Sequence, residues 1–193
     1  MPPKPKVTRE LVLEAALELV REEGMNAVNA RNVAKKLGTS TQPIFSHFPS
    51  MEELKEAICV YAEHLYNTAM LEAMKSGSNG FLAMGLAYIR FARTEKRLFH
   101  LLFMSGRLQQ EKVSDIAGAN EGDEQVIAMI GSMTGLSVGQ ARKLYAGIWF
   151  TTHGIASLLA TNGSSMDDEE AQAVLGRVFK GLLITLKKEG EEL

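Results

Sequence analysis

The stretch of sequence that decides the fold is residues 24–54, which read GMNAVNARNVAKKLGTSTQPIFSHFPSMEEL. Two short helices are predicted within it, one over residues 30–37 and one over residues 41–47. They are joined by Gly38-Thr39-Ser40, and this arrangement has the size of a helix-turn-helix. In that motif the second helix enters the DNA major groove and presents its N-terminal residues to the base edges.

The charge pattern of this stretch favours contact with DNA. No acidic residue occurs from Gly24 to Met51, whereas Arg31, Lys35 and Lys36 lie inside. A surface that approaches phosphates must exclude carboxylates. Because the whole chain carries a formal net charge of -2, any nucleic-acid function must be confined to one patch. The residues alone also allow a helical hairpin that lacks carboxylates by chance.

The rest of the chain predicts an all-α fold, because apolar residues recur at helical spacing and no stretch alternates like a strand. The first helix is predicted from Thr8 to about Glu23, with one buried face made of Leu11, Val12, Ala15, Ala16, Leu19 and Val20. Later helices are predicted at about residues 51–75, 81–93, 96–104, 123–133, 138–161 and 168–188, with a loop and a short helical piece within 109–121. We expect two domains, a helix-turn-helix domain over residues 1–49 and a larger helical domain over residues 50–193.

Residues suited to begin or end these helices stand at the predicted boundaries. Thr8, Asn29 and Ser40 are suited to cap helices, and Gly24 and Gly38 to end them. Capping-box spacing is found in Ser50/Glu53, Ser137/Gln140 and Asp167/Glu170. Pro43 falls in the first turn of its helix, where a missing N–H group costs little.

Several classes of protein are disfavoured by the composition and motifs. The one cysteine, Cys59, can form neither an internal disulfide nor a Cys-x-x-Cys metal site, which fits a reducing cytoplasm. Neither a signal peptide nor a membrane span is predicted. No metal site or cofactor is expected, and the chain contains no nucleophile-elbow, phosphate-loop or zinc-protease motif, so we expect no enzyme.

Residues 8–54 resemble the N-terminal domain of the TetR family of transcriptional regulators. The resemblance rests on Arg21-Glu22-Glu23-Gly24, Val33-Ala34, Gly38, Phe45-Ser46-His47-Phe48 and Glu52-Glu53-Leu54, which follow the family's order and spacing. Two positions depart from it, since the family usually has Tyr where this chain has Phe45 and Lys where it has Met51. Both usual residues contact phosphates, so each loss would make the salt dependence of binding shallower by roughly 0.9 in slope.

The resemblance and the positions of the residues assign candidate contacts with DNA. Gln42 is the expected base-edge contact, because a glutamine can pair bidentately with adenine. Thr41 and Pro43 are expected to contribute hydroxyl and apolar contacts. Lys4, Lys6 and Arg9 could form an arm over the neighbouring groove or backbone, and a soluble tail is the alternative. The full predicted DNA-binding set is Asn29, Arg31, Lys36, Thr39, Ser40, Thr41, Gln42, Pro43, Phe45 and His47.

The later helices resemble the C-terminal domain of a TetR subgroup marked by Trp-x-x-x-His-Gly, here Trp149 to Gly154. In the family such helices surround a cavity, which implies a small, hydrophobic effector. The predicted ligand-binding residues are Tyr61, His64, Leu65, Thr68, Tyr88, Phe91, Phe103, Met104, Trp149 and His153. Each of them could instead be an ordinary core residue. Gly154 is expected to let another helix approach closely.

The family also implies a homodimer formed by the last two helices. Val174, Val178, Leu182 and Leu186 share one stripe of the final helix and are candidates for that interface, with Leu158 and Ala160 as weaker ones. The predicted function is a repressor that binds a palindromic operator as a dimer and is released by a small molecule. A helical carrier or scaffold without DNA binding is the alternative, and activation instead of repression stays open.

Overall fold

The computed structural model describes residues 7–75, 79–106, 121–161 and 163–191 of the chain. Every regular element in these residues is a helix, so the predicted all-α class is confirmed. A single 3₁₀ turn, Met25–Ala27, follows the first helix. The α-helices of the described residues are α1 Arg9–Glu23, α2 Ala30–Leu37, α3 Gln42–His47, α4 Met51–Lys75, α5 Gly80–Thr94, α6 Lys96–Phe103, α7 Glu121–Thr134, α8 Val138–Thr161 and α9 Asp168–Glu191. Most of the loop and short helical piece predicted within 109–121 lies outside the described residues.

The chain divides into two compact units. The first comprises Met1–Asn67 and Glu95–Arg107, and the second comprises Thr68–Thr94 and Leu108–Leu193. The functional boundary predicted between residues 49 and 50 stays a prediction, since a compact unit need not coincide with a functional domain.

Helix α1 supplies much of the core of the first unit. Its buried face consists of Val12, Ala15, Ala16, Leu17, Leu19 and Val20. The assignment of Leu11 to this face was wrong: its side chain is 41% exposed. Leu17 is buried in addition, because the stripe lies slightly further round the helix than the sequence pattern indicated.

Most of the predicted helix caps are present. The Thr8 hydroxyl accepts a hydrogen bond from the N–H of Leu11 at 3.3 Å. Reciprocal capping boxes begin α8, through Ser137 and Gln140, and α9, through Asp167 and Glu170. The prediction that Ser40 caps α3 was wrong, because the helix begins one residue later, at Gln42, and no side chain caps it. With Pro43 in the first turn, α3 has one fewer N–H group that needs a partner.

The second unit packs three long helices, α5, α8 and α9, around apolar side chains. One core cluster joins Phe81 of α5 to Leu144 and Ile148 of α8 and to Leu186 of α9. Val178 and Leu182 also pack against this cluster, so most of the stripe predicted to form a dimer interface instead faces the chain's own core. An ion-pair cluster also joins α5 to α9, because Arg90 and Arg93 both bind the Asp168 carboxylate.

Candidate nucleic-acid interface and ligand-binding residues

Helices α2 and α3 are fixed by a small buried core that leaves their other faces in solvent. Val33 and Ala34 of α2 are buried, and so is Ile44 of α3. Between the helices Gly38 has φ 63°, in the left-handed region that costs a residue with a side chain about 1–2 kcal/mol. The turn therefore depends on glycine at this position.

The candidate base-reading residue lies at the exposed start of α3. Gln42 is the first residue of the helix and its side chain is exposed, while Thr41 and Pro43 beside it are half-buried. Phe45, one turn further along, is 45% exposed although it is aromatic. An exposed aromatic side chain on a short helix is available for contact with a partner. The contacts that these residues make with DNA remain predictions.

At the start of α2, Asn29 is used to cap the helix. Its side-chain oxygen accepts a hydrogen bond from the N–H of Asn32 at 3.0 Å, and its amide donates to the carbonyl of Ala27. Arg31, two residues further on, is exposed and forms no ion pair with a described residue. Its guanidinium is thus the candidate phosphate contact that needs no rearrangement. Ser40 is also exposed and Thr39 is half-buried.

Lys36 is held by two carboxylates of α1. Its ammonium donates hydrogen bonds to both carboxylate oxygens of Glu22, at 2.8 and 2.9 Å, and lies 3.2 Å from a carboxylate oxygen of Glu18. The Glu22 hydrogen bond is the main reason why the pKa of Lys36 is raised. Sequence reasoning missed this cluster, because Glu18 and Glu22 lie outside the acid-free stretch and only the tertiary fold brings them to α2.

The chain just before α1 is attached to the end of α3. His47 donates a hydrogen bond from Nε2 to the carbonyl oxygen of Val7 at 2.9 Å. The guanidinium of Arg9 lies over the ring of Phe48, 4.6 Å from its centroid, as a cation–π contact. His47 was predicted as a DNA contact and Arg9 as a possible part of an arm; both have partners within the chain, and their contacts with DNA stay predictions. Lys4 and Lys6 lie outside the described residues.

The predicted ligand-binding residues are divided between the two compact units. Tyr61 and His64 of α4 line an open groove on the first unit. The ring of Phe103 packs edge-on against Tyr66 and also contacts Phe99 in that unit. Leu65 and Met104 are half-buried there. The second unit holds the remaining five, Thr68, Tyr88, Phe91, Trp149 and His153.

Three of the predicted ligand-binding residues form one cluster in the second unit. The rings of Trp149 and His153 stack in parallel, with centroids 4.9 Å apart and 4° between their planes. Tyr88 of α5 places its hydroxyl 2.9 Å from Nδ1 of His153. Burial lowers the pKa of His153, which favours the neutral form of its ring. The cluster thus presents uncharged aromatic rings with an internal hydrogen bond.

No three His, Cys, Asp or Glu side chains within the described residues are grouped so that they could hold a metal ion. Nor does any described helix combine the length and the apolar character that a membrane span requires.

The geometry of α2 and α3 agrees with sequence comparison. The model of the "Bacterial regulatory proteins, tetR family" matches residues 12–58. The model of the "Tetracyclin repressor-like, C-terminal domain" matches residues 81–182, more than half of the chain. The chain therefore belongs to the TetR family of DNA-binding transcriptional regulators, with an N-terminal helix-turn-helix and a C-terminal helical domain. Membership of the Trp-x-x-x-His-Gly subgroup stays a prediction.

Individual relatives agree with the family over different lengths. The HTH-type transcriptional regulator Rv0681 of Mycobacterium tuberculosis is 26% identical over 171 residues, which are 88% of this chain and 77% of that protein. The HTH-type transcriptional repressor DrrR1 of Streptomyces coeruleorubidus is 38% identical over 52 residues, 27% of this chain and 19% of the repressor. The class D tetracycline repressor protein of Escherichia coli is 34% identical over 55 residues, 28% of this chain and 25% of that protein.

A solved structure shows the same fold over nearly the whole chain. A TetR-like transcriptional regulator from Rhodococcus sp. RHA1 superposes with a TM-score of 0.63 and 14% sequence identity. The match covers 92% of this chain and 96% of that chain. At this identity the likeness establishes the fold alone.

Proposed function

We propose that the protein is a repressor that binds a palindromic operator as a homodimer and is released by a small, hydrophobic effector. The observation that carries the proposal is the exposed start of α3, where Gln42 stands at the surface of a helix-turn-helix without acidic residues of its own. Repression is supported by the relatives, two of which are named as repressors.

The homodimer is supported by apolar side chains that the chain leaves exposed on α8 and α9. Phe150, Gly154 and Leu158 follow one another at four-residue spacing on α8, and Phe150 and Leu158 are 39% and 53% exposed. A Cβ atom added at Gly154 would meet no described atom within 4 Å, so this face has room for another helix. Ile184 of α9 is 48% exposed. We therefore prefer these exposed residues as the candidate interface to the stripe of Val178, Leu182 and Leu186, which packs against the chain's own core.

The effector site is proposed at the cluster of Tyr88, Trp149 and His153. Stacked aromatic rings offer a flat apolar surface, and the polar atoms of Tyr88 and His153 could orient a ligand. An effector acts on DNA affinity only through its different affinity for the two states of the regulator. The expected effector therefore favours a conformation in which the two α3 helices of a dimer no longer match successive turns of the major groove.

Selection of bound fragments from genomic DNA at about 100 mM salt tests operator binding. The wild type should enrich a palindrome. Gln42→Ala should weaken that enrichment, or reduce the discrimination between bases at one operator position by about 1–3 kcal/mol. If the wild type enriches no sequence above background, operator binding by the resting protein is refuted and a helical carrier becomes the better description.

The salt dependence of operator binding separates Arg31 from Lys36. Arg31→Ala should reduce the slope of log affinity against log salt by about 0.9 per half-site, because the variant lacks one proposed phosphate contact. The guanidinium that makes this contact has no ion-pair partner among the described residues. Lys36→Ala should change this slope much less, since its ammonium is already paired with Glu22 and Glu18. An equal reduction in both variants, measured by titration at several salt concentrations, would contradict the ion-pair assignment.

A further inference from the structure

Two phenylalanines lie in residues 41–48, and one of them takes no part in the core. Phe48, just after α3, is 2% exposed, whereas Phe45 within the helix is 45% exposed. Ile44 beside it is fully buried, so the contact of α3 with the core does not need the ring of Phe45. An exposed aromatic ring gains the free energy of burial only when a partner covers it. Phe45 is therefore available for a contact outside this chain.

Phe45 shares its exposed face of α3 with two polar residues. Gln42 and Ser46 are also exposed, and residues three or four positions apart in an α-helix lie side by side. The Ser46 hydroxyl donates a hydrogen bond to the carbonyl oxygen of Gln42 at 3.0 Å, so its proton is used within the helix. The face thus presents the amide of Gln42 and the apolar ring of Phe45.

The surroundings of this face suit the major groove of DNA. Residues 24–51 contribute no carboxylate side chain, and the exposed guanidinium of Arg31 has no ion-pair partner among the described residues. The family to which the chain belongs consists of DNA-binding regulators, and α3 is the second helix of the helix-turn-helix. Because that helix enters the major groove, the partner that fits the face is the edge of a base.

The chemistry of a phenyl ring selects among the base edges. Thymine carries a 5-methyl group in the major groove, and apolar side chains such as phenylalanine pack against it. The other distinguishing groups there are hydrogen-bond donors and acceptors, which a phenyl ring cannot satisfy. Phe45 also lacks the hydroxyl of the tyrosine that is usual in the family at this position, so it cannot make that hydroxyl's contact with a phosphate. A thymine methyl group is the remaining partner of matching chemistry.

The spacing of Gln42 and Phe45 sets where this thymine lies. Three residues of an α-helix span about 4.5 Å along its axis. Successive base pairs of DNA are about 3.4 Å apart. The two side chains can therefore reach bases that are one or two steps apart.

We propose that Phe45 recognises a thymine in each half-site of the operator by covering its 5-methyl group, one or two base steps from the base that Gln42 contacts. The inference rests on the proposed function, because it concerns the same contact with the operator. It adds a sequence-reading contact at a position where the usual tyrosine of the family contacts a phosphate. Phe45 is thus a specificity-determining residue.

Deoxyuridine substitution in the palindrome that the wild type enriches tests this proposal. Deoxyuridine pairs as thymidine does and lacks only the 5-methyl group. At one thymine, one or two steps from the position that responds to Gln42→Ala, this substitution should weaken wild-type binding about fourfold per half-site. Phe45→Ala should bind the two duplexes equally. Ser46→Ala is the matched control on the same face and should keep the difference, since its hydroxyl is bonded to the helix backbone.

The outcomes separate this inference from the proposed function. If the wild type enriches no sequence, operator binding and the thymine contact fail together. If it enriches a palindrome that tolerates deoxyuridine at every thymine, or that has no thymine at these positions, the thymine contact alone is overturned. It is also overturned if Phe45→Ala loses affinity but still distinguishes the two duplexes, because the ring then lies against the sugar–phosphate backbone. Unfolding midpoints of both variants show whether a loss of affinity comes from misfolding.

Discussion

In the α2–α3 segment the turn and the helix start are held by residues close in sequence, whereas in the second unit the helices are held by residues far apart. Asn29 caps α2 through Asn32, three residues away, and Gly38 closes the turn with φ 63°. By contrast, Tyr88 meets His153 across 65 residues, and Phe81 of α5 packs with Leu186 of α9. The comparison teaches that the turn and the start of α2 in the helix-turn-helix are specified locally, and the helix packing around the proposed effector site is specified by tertiary contacts.

The largest expected effect tests the second unit, where the helices are held by residues far apart in sequence. Leu144 is fully buried in the core cluster that joins α5, α7, α8 and α9. Leu144→Ala should lower the free energy of unfolding by about 2–5 kcal/mol, because a cavity replaces buried methyl groups. Chemical denaturation followed by circular dichroism measures this change.

The matched control is Leu11, which the sequence pattern predicted to be buried. Leu11 is 41% exposed, so Leu11→Ala should change stability by only about 0.5 kcal/mol. Equal losses in the two variants would mean that Leu11 is part of a core after all.

A smaller effect tests the α2–α3 turn, which is held by residues close in sequence. Gly38→Ala should destabilise the protein by about 1–2 kcal/mol, because alanine at φ 63° brings its Cβ too close to the following carbonyl oxygen. Gly139→Ala in α8 should do the opposite, with a gain of up to about 1 kcal/mol, since this glycine has helical backbone and open space around it. Thermal unfolding of both variants makes the comparison. A gain in Gly38→Ala would show that the turn does not require the left-handed conformation.

The smallest effect concerns pH and the aromatic cluster. Burial lowers the pKa of His153, so the unfolded chain binds a proton more readily than the folded chain does. Stability from this residue is therefore fully present above the ordinary histidine pKa of about 6.5 and is lost as the pH falls below it. The wild type should lose more stability between pH 7 and pH 5 than His153→Gln, which cannot titrate. Parallel denaturation curves at the two pH values test this, and equal losses would place His153 in a wetter environment.

Particular residues show which features of the structure could be predicted from the sequence. The predicted caps Thr8, Asn29, Ser50, Ser137 and Asp167 are all used, and helix bounds agree to within a few residues. The family was recognisable because its N-terminal motifs fall within one continuous stretch. The predictions of a cap at Ser40 and of a buried Leu11 were wrong, and the sequence did not show that Val178, Leu182 and Leu186 of α9 pack against the chain's own core. Each depends on how one helix is rotated against its neighbours, and periodicity fixes that rotation only to within part of a turn.

The sequence by itself determined the helices, most of their ends and the acid-free stretch from Gly24 to Met51, because caps, glycine turns and local charge act over a few residues. Only the tertiary structure decided that Lys36 is paired with Glu22, that His47 holds Val7, and that His153 stacks on Trp149 while facing Tyr88. Three of these four partnerships join residues that are at least 14 positions apart in sequence, and all of them depend on side-chain directions set by packing. The physical reason is that hydrogen bonds and ion pairs require distances of about 3 Å, which only the packed core can set.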